Sequence, residues 1–372
     1  MKKILITGGH ITPALAVIET LDKQEWKICF VGRQYASETF KIRSIERELI
    51  EDLRIKFIDF NAGRISKRLS FSSILSFLKI PLGFIRAFSI LLSQKPDVVL
   101  SFGGYLSSPI VFASWILRIP SLTHEQTASI GLATKFNGLF SKRILLSWEN
   151  TINKVNQKKS VLVGNPARRD VLNFDLKTWK GLSFNEDLPL VFITGGNQGS
   201  HIINKTIEKA LPRLVKNYNV FHLVGHLQAR GDYKKLKIAK KQLSKKYKAR
   251  FRVEKYLNTK QMGALLNKAD LVVSRSGANT ITELALLGKP SLLIPLPDTH
   301  SDEQVKNAKL LAKAGISLIL PQNELSSKVL CEKINQMIED ASVFKENASK
   351  ALRLVDKNAA SNITSEIESV LK

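Results

Sequence analysis

The stretch Leu271-Val272-Val273-Ser274-Arg275-Ser276-Gly277-Ala278-Asn279-Thr280-Ile281-Thr282-Glu283 passes from a β-branched apolar run through small polar residues into the helix-forming segment Leu284-Ala285-Leu286-Leu287. That order predicts a strand, a tight turn and a helix N-terminus. The first N–H groups of a helix have no intrahelical acceptor, and Gly277 and Ala278 add no bulk, so the turn suits an anion such as a diphosphate. Glu283, roughly one helical turn further on, can accept hydrogen bonds from two sugar hydroxyls. The same residues also fit a plain capped helix, with Ser276 or Thr280 as the cap and Glu283 favouring the dipole. The rest of the chain separates the two readings.

At 372 residues the chain exceeds what one hydrophobic core usually spans, so two domains are expected. Hydrophobic residues make up 44% and charged residues 24%, which excludes a disordered chain. Lys and Arg outnumber Asp and Glu by 57 to 32, a net charge of +25 that favours nucleic acid, an anionic lipid surface or phosphorylated substrates. Cys29 and Cys331 lie far apart in apolar or helical contexts, which suggests buried thiols in a reducing compartment and offers no metal-binding spacing. The apolar run Ile4-Leu5-Ile6 after Met1-Lys2-Lys3 stops at Thr7-Gly8-Gly9, too short for a signal sequence, and reads as the first strand of a cytoplasmic protein. Residues 98–117 carry no charge and are nominally long enough to span a bilayer. Gly103-Gly104, Ser107-Ser108 and Pro109 break that run into strand, Gly-rich loop and helix.

Taken in order, Lys3-Ile4-Leu5-Ile6, Thr7-Gly8-Gly9-His10 and Pro13 to Glu19 form a strand–loop–helix unit, and Ile28 to Gly32 follows as a second strand. This alternation predicts a parallel sheet with crossover helices. Ile55 to Phe60, Val98 to Leu100, Ser121 to Thr123, Ile144 to Ser147 and Ser160 to Val163 complete a first half, and Gly164-Asn165-Pro166 reads as a linker. Phe102-Gly103-Gly104-Tyr105 and His124-Glu125-Gln126-Thr127 fall at the carboxyl ends of strands, where open α/β sheets bind ligands. Residues 67–95 are apolar nearly all round, contain no acid and interleave Lys67, Arg68, Lys79 and Arg86. This is the pattern of a surface that dips into anionic lipid, with a deeply buried crossover helix as the alternative.

The second half repeats the logic. Leu188 to Ile193 runs into Thr194-Gly195-Gly196-Asn197-Gln198-Gly199-Ser200, and Phe221 to Gly225, Phe251 to Val253, Leu271 to Val273 and Ser291 to Pro295 are further strands. Two N–H-rich turns, one from each half, imply a cleft between domains. The basic run Lys234 to Lys248 reads as a solvated helix face, with generic attraction of anions as the other reading. No Gly-x-Gly-x-x-Gly, P-loop, His-Glu-x-x-His, paired Cys or Asp-x-Asp motif occurs, so neither a dinucleotide nor a metal ion has support. Bases without interleaved aromatics also argue against a nucleic-acid partner.

Seven blocks, in order, carry a resemblance: Thr7-Gly8-Gly9-His10-Ile11-Thr12-Pro13-Ala14-Leu15-Ala16; Phe102-Gly103-Gly104-Tyr105; His124-Glu125-Gln126; Gly164-Asn165-Pro166-Ala167-Arg168; Gly195-Gly196-x-Gln198-Gly199; Arg275-Ser276-Gly277-Ala278-x-Thr280-x-x-Glu283; and Gln304-x-x-Asn307-Ala308. Together they resemble the MurG-type transferase family over about residues 3–320. The resemblance implies an α/β, GT-B architecture: two Rossmann-like, doubly wound parallel-sheet domains facing across a cleft. The expected boundaries are 1–163, 164–345 and a C-terminal helix over 346–372 that packs back towards the first domain. The implied reaction is inverting and needs no metal or other cofactor. It moves N-acetylglucosamine from UDP-N-acetylglucosamine to the muramoyl 4-hydroxyl of undecaprenyl-pyrophosphoryl-N-acetylmuramoyl-pentapeptide (lipid I), giving lipid II for peptidoglycan. A UDP-sugar transferase acting on another lipid, such as diacylglycerol, is the alternative.

Carried over position by position, the resemblance implies donor contacts from Arg168, Gly195, Gly196, Asn197, Gln198, Gly199, Leu257, Ser276, Gly277, Ala278, Thr280, Glu283, Gln304 and Asn307. Leu257 would meet the uracil, Glu283 the ribose and the Gly-rich turns the diphosphate. Thr7, Gly8 and Gly9 belong with the donor contacts, and Gly8 and Gly9 also with the acceptor pyrophosphate, beside Gly103, Gly104, Tyr105 and Thr127. His10 is the expected general base and Glu125 the runner-up. Residues 67–95 would rest on an anionic membrane, making the enzyme peripheral on the cytoplasmic face of the cell membrane. The chain departs from the family pattern in a first Gly-rich loop about three residues short, in Thr127 where Asn is usual, in Asn197 where Ser is usual, and in a slightly longer segment from Tyr256 to Met262.

Overall fold

The computed structural model describes residues 1–37, 42–62, 71–174, 184, 187–226, 230–299 and 302–372. Residues 67–70 of the expected membrane-facing segment, and the side chains of 71–80, Lys79 among them, lie outside the described residues. The chain forms two compact units, Met1–Pro166 with Lys357–Lys372, and Ala167–Asp356.

In the first unit the strands are β1 (Lys2–Thr7), β2 (Trp26–Gly32), β3 (Tyr35–Ser37), β4 (Ile42–Arg43), β5 (Lys56–Asp59), β6 (Val98–Ser101), β7 (Ser121–Glu125), β8 (Arg143–Leu146) and β9 (Ser160–Leu162). Seven of them form one sheet in the order β5-β2-β1-β6-β7-β8-β9, and β3 pairs separately with β4. The sheet is parallel throughout, with Ile4 opposite Ile28 on one side of β1 and opposite Val98 on the other. Strands covered on both faces read as continuous apolar runs, and Ile4, Leu5, Ile6, Val98, Val99 and Leu100 are all buried. The charge-free residues 98–117 divide into β6 and the helix Ser107–Ile116. Among the described residues no helix is long and apolar enough to cross a membrane.

The second unit holds β10 (Leu190–Thr194), β11 (Asn219–Leu223), β12 (Phe251–Glu254), β13 (Leu271–Ser274), β14 (Ser291–Leu293) and β15 (Ser317–Ile319), all parallel, in the order β12-β11-β10-β13-β14-β15. That order, 3-2-1-4-5-6, is the doubly wound arrangement of a Rossmann fold. In each unit the first strand lies mid-sheet, and the chain winds outwards from it in both directions. The carboxyl ends of β1 and β6, and of β10 and β13, are therefore the two topological switch points, where the connections diverge and leave a crevice. The turns singled out in the sequence follow these four strands.

The helix Ala359–Ser369 belongs to the first unit and packs on the helix Ile11–Thr20. It buries Ile363 and Ile367 in the same core cluster as Ile11, Leu15 and Ile18. Asn362 donates to the Val163 carbonyl at 3.2 Å, and Glu366 pairs with Arg143 at 3.4 Å. Gly164, Asn165 and Pro166 also lie in the first unit, tied in by the contact of the Gly164 carbonyl with His124 Nε2 at 3.0 Å.

Candidate active site

In the first unit, the turn after β1 and the turn after β6 touch backbone to backbone, because their strands are neighbours. The Gly9 N–H donates to the Gly103 carbonyl at 3.2 Å. Gly8 has φ +143°, and a Cβ there would stand 2.9 Å from Phe102 backbone, so no side chain fits without displacing the second turn. Gly103 and Gly104, with φ of +69° and +77°, continue the cradle into the helix Ser107–Ile116. Tyr105 packs on the core cluster behind that helix, and Arg33 lies over its ring at 6.0 Å. Thr7 is buried at the end of β1, and its hydroxyl has no hydrogen-bond partner among the described residues.

His10 is the N-cap residue of the helix Ile11–Thr20, and its side chain does not cap the helix. Part of the residue remains open to solvent. Desolvation by the surrounding protein holds its pKa below the ordinary 6.5, and the Glu125 carboxylate opposes that shift. Its neutral form therefore predominates at neutral pH. Glu125, 6% exposed, is built in. Its Oε1 faces the Thr127 N–H at 3.1 Å and the Thr127 hydroxyl at 2.8 Å, and its Oε2 faces the Gly131 N–H at 2.9 Å and the Thr134 hydroxyl at 2.7 Å. These donors hold the loop after β7 around a carboxylate. His124, one residue earlier, is buried with its ring against Gly164 and Ser147, and burial lowers its pKa to about 4.

In the second unit, β13 turns at Ser276-Gly277 into the helix Ala278–Leu286, whose N-cap is Gly277 without any side-chain cap. Ser276 and Thr280 therefore do not cap it. The Ser276 hydroxyl instead donates to the Gln304 carbonyl at 2.8 Å, and Asn307 Nδ2 donates to the Ser276 carbonyl at 3.1 Å. Gln304 Oε1 accepts from Leu296 N–H at 2.9 Å. Thus Ser276, Gln304 and Asn307 are latched together by the helix Glu303–Lys313. After β10, Gly199 donates to the Gly196 carbonyl at 2.9 Å, and the turn presents Asn197 and Gln198 to solvent. Leu257 is buried in the loop following β12, and Thr280 is half-buried on the first turn of its helix.

Arg168 and Glu283 meet in an ion pair, with Nε to Oε1 and Nη2 to Oε2 both at 2.6 Å. Glu283 is 3% exposed, and its carboxylate holds the Arg168 guanidinium pKa above its usual value against desolvation. Arg275, within the motif around Gly277, is buried and structurally central. It donates to the Ile294 and Pro295 carbonyls at 3.0 and 3.1 Å, to Ser200 Oγ at 2.8 Å and to Gln322 Oε1 at 2.6 Å. An Arg closing an apolar strand beside small residues was the available signal. Among the described residues no group of three or more His, Cys, Asp or Glu could hold a metal ion.

Comparison with known proteins follows the same division. The Glycosyltransferase family 28 N-terminal domain matches residues 7–146, and the Glycosyltransferase family 28 C-terminal domain matches residues 190–366. A UDP-N-acetylglucosamine--N-acetylmuramyl-(pentapeptide) pyrophosphoryl-undecaprenol N-acetylglucosamine transferase of Clostridium botulinum is 33% identical over 378 residues, covering 100% of both chains. The protein of the same name in Clostridium kluyveri is 31% identical over 372 residues, covering 96% of this chain and 99% of its own. Among solved structures, Acinetobacter baumannii MurG superposes with a TM-score of 0.71 at 25% identity, covering 99% of this chain and 100% of that one.

Proposed function

This chain belongs to glycosyltransferase family 28 as a MurG-type UDP-sugar transferase, and on that footing we propose that it transfers N-acetylglucosamine from UDP-N-acetylglucosamine to the muramoyl 4-hydroxyl of lipid I, with inversion. The observation that carries the donor half is the Arg168–Glu283 pair beside the uncapped helix start at Gly277. Glu283 is the ribose ligand. Arg168 and the turns at Gly195-Gly196 and Ser276-Gly277-Ala278 meet the diphosphate charge, with Leu257 at the uracil and Gln304 and Asn307 at the sugar. The reaction uses no metal in this reading, because cationic and N–H groups of the second unit stabilise the departing UDP.

His10 takes the proton from the 4-hydroxyl as that oxygen forms its bond to the anomeric carbon. The bond from that carbon to the UDP oxygen breaks, and UDP leaves with the electron pair. A single displacement inverts the centre. The fixed Glu125 carboxylate stabilises the imidazolium formed on His10, while its own oxygens are occupied by the Thr127, Gly131 and Thr134 donors. Gly8, Gly9, Gly103, Gly104 and Tyr105 cradle the acceptor pyrophosphate.

The same reading makes the protein peripheral on the cytoplasmic face of the membrane. The helix Phe71–Gln94 buries Ala87, Ile90 and Leu91 but leaves Leu82, Ile85 and Leu92 exposed at 64%, 66% and 58%. Phe84 on this helix meets Phe112, which meets Trp115 and Phe140, so the apolar surface continues across three helices. Exposed Arg86, Arg118 and Lys135 give it the charge to engage anionic lipid.

Transfer of labelled N-acetylglucosamine to a lipid I analogue, with and without EDTA and with diacylglycerol as the competing acceptor, tests the assignment. A β-linked product formed equally in EDTA is the expected result. Transfer to diacylglycerol alone, or loss of turnover in EDTA, would overturn it.

A further inference from the structure

The basic run noted in the sequence has a second side. Between His201 and Lys255 sixteen Lys and Arg residues face three Asp and Glu residues. Part of this charge lines a groove of about 530 Å³ between the helices His201–Asn217 and Asp232–Gln242. Lys205 and Lys209 enter it from one helix and Lys235 from the other, over Ile238 and Ala239, with Glu208 as the lining acid. Among the described residues no salt bridge engages any of these three lysines. Like charges brought together on a concave wall focus a positive potential that a flat lysine-rich face does not.

The end of the groove is constructed rather than incidental. His201 lines it with its Nδ1 held 2.7 Å from Asp232 Oδ1. Asp232 is 6% exposed, and its other oxygen accepts from Asn204 Nδ2 at 3.0 Å. Asn204 Oδ1 contacts the buried His222 ring at 2.9 Å. A chain of buried polar groups thus fixes the plane of one imidazole at the groove. Neither the proposed transfer nor the motifs of the family resemblance use these residues.

We propose that this groove binds a phosphate ester, carried either by a soluble metabolite or by a phospholipid headgroup. Three ammonium groups around an apolar floor match a compact polyanion with a short carbon skeleton, and the groove falls within the usual size range of small-ligand sites, roughly 300–1,000 Å³.

The test uses the full chain in phosphate-free buffer. Titration with sn-glycerol 3-phosphate in saturating UDP, which occupies the proposed donor site, should show saturable binding. The Kd should rise about tenfold in the triple variant Lys205→Gln, Lys209→Gln, Lys235→Gln, while UDP affinity and melting temperature stay unchanged. A second triple variant, Lys241→Gln, Lys245→Gln, Lys246→Gln, removes equal charge outside the groove and should bind like the parent. The same three proteins are then sedimented with phosphatidylglycerol vesicles. A loss confined to the groove variant with vesicles but not with the soluble ester identifies the headgroup as the source, and the reverse identifies a free metabolite. Equal losses in both triple variants, displacement of the ester by UDP, or binding of both the ester and the vesicles left unchanged in the groove variant would each overturn the proposal.

Discussion

Arg168 and Glu283, 115 residues apart, grip each other through two parallel bonds of 2.6 Å, a fork-to-carboxylate pair that is largely withdrawn from solvent. Both residues are proposed donor ligands, so each change at one of them acts twice. Glu283→Ala should raise the donor KM about 10- to 100-fold, the worth of a hydrogen bond to a charged group. It should also lower the melting temperature, because it strands a buried guanidinium. Arg168→Lys keeps the charge but not the fork, and should fall well short of parental donor affinity. Steady-state kinetics with melting curves check both. An unchanged donor KM in Glu283→Ala would remove its ribose role.

His10 and Glu125 make a pH prediction with a definite sign. As the proposed base, His10 would act only when neutral, and its pKa lies below 6.5, so kcat/KM should hold through neutral pH and fall on the acid side. Glu125 raises that pKa, so Glu125→Gln should move the acid limb to lower pH and reduce kcat. His10→Ala should abolish the limb and cost about 10²- to 10⁴-fold in kcat with donor binding retained. A limb that survives in His10→Ala would assign the base elsewhere.

The doubly wound halves were legible because a parallel strand must be apolar at nearly every position and must be followed by a turn able to start a helix. β1, β6, β10 and β13 all announce themselves this way. β15, Ser317-Leu318-Ile319, and the β3–β4 pair are not among the strands the sequence predicts. At the site, local sequence placed the Gly-rich turns but not the partners. The capped-helix alternative for Ser276 fails because its hydroxyl finds Gln304, 28 residues away. Likewise the engagement of Glu125 depends on Gly131 and Thr134, and that of Glu283 on Arg168, none of which a local pattern can reveal.

Buried neutral histidines set the acid limit of stability. Burial lowers the pKa of His124 to about 4 in the first unit and of His222 to about 3 in the second. Unfolded, each would take up a proton near the ordinary 6.5. The stabilisation is therefore complete above pH 6.5, declines below it, and is gone once pH passes the folded values. Each should contribute a loss of about 1.4 kcal/mol per pH unit in that window. Urea unfolding at pH 7 and pH 5 measures it, and a single shared midpoint would show that these rings are not neutral in the fold.

From Pro81 onwards, the helix Phe71–Gln94 does not bury both of its faces within the first unit. Ala87, Ile90 and Leu91 are used up in the core against Val99 and Ile110, while Leu82, Ile85 and Leu92 remain in solvent. Three residues along one stripe, each able to gain about 1.5–3 kcal/mol on full burial, are enough to set membrane partitioning. Leu82→Ser, Ile85→Ser and Leu92→Ser combined should therefore release the protein from anionic vesicles, with turnover of a water-soluble acceptor analogue unchanged. Raising the salt should weaken the parent only in part, since salt screens Arg86, Arg118 and Lys135 but not the apolar stripe. Sedimentation that is equal for parent and variant would mean that the stripe does not face lipid, and binding lost entirely to salt would leave the basic residues alone responsible.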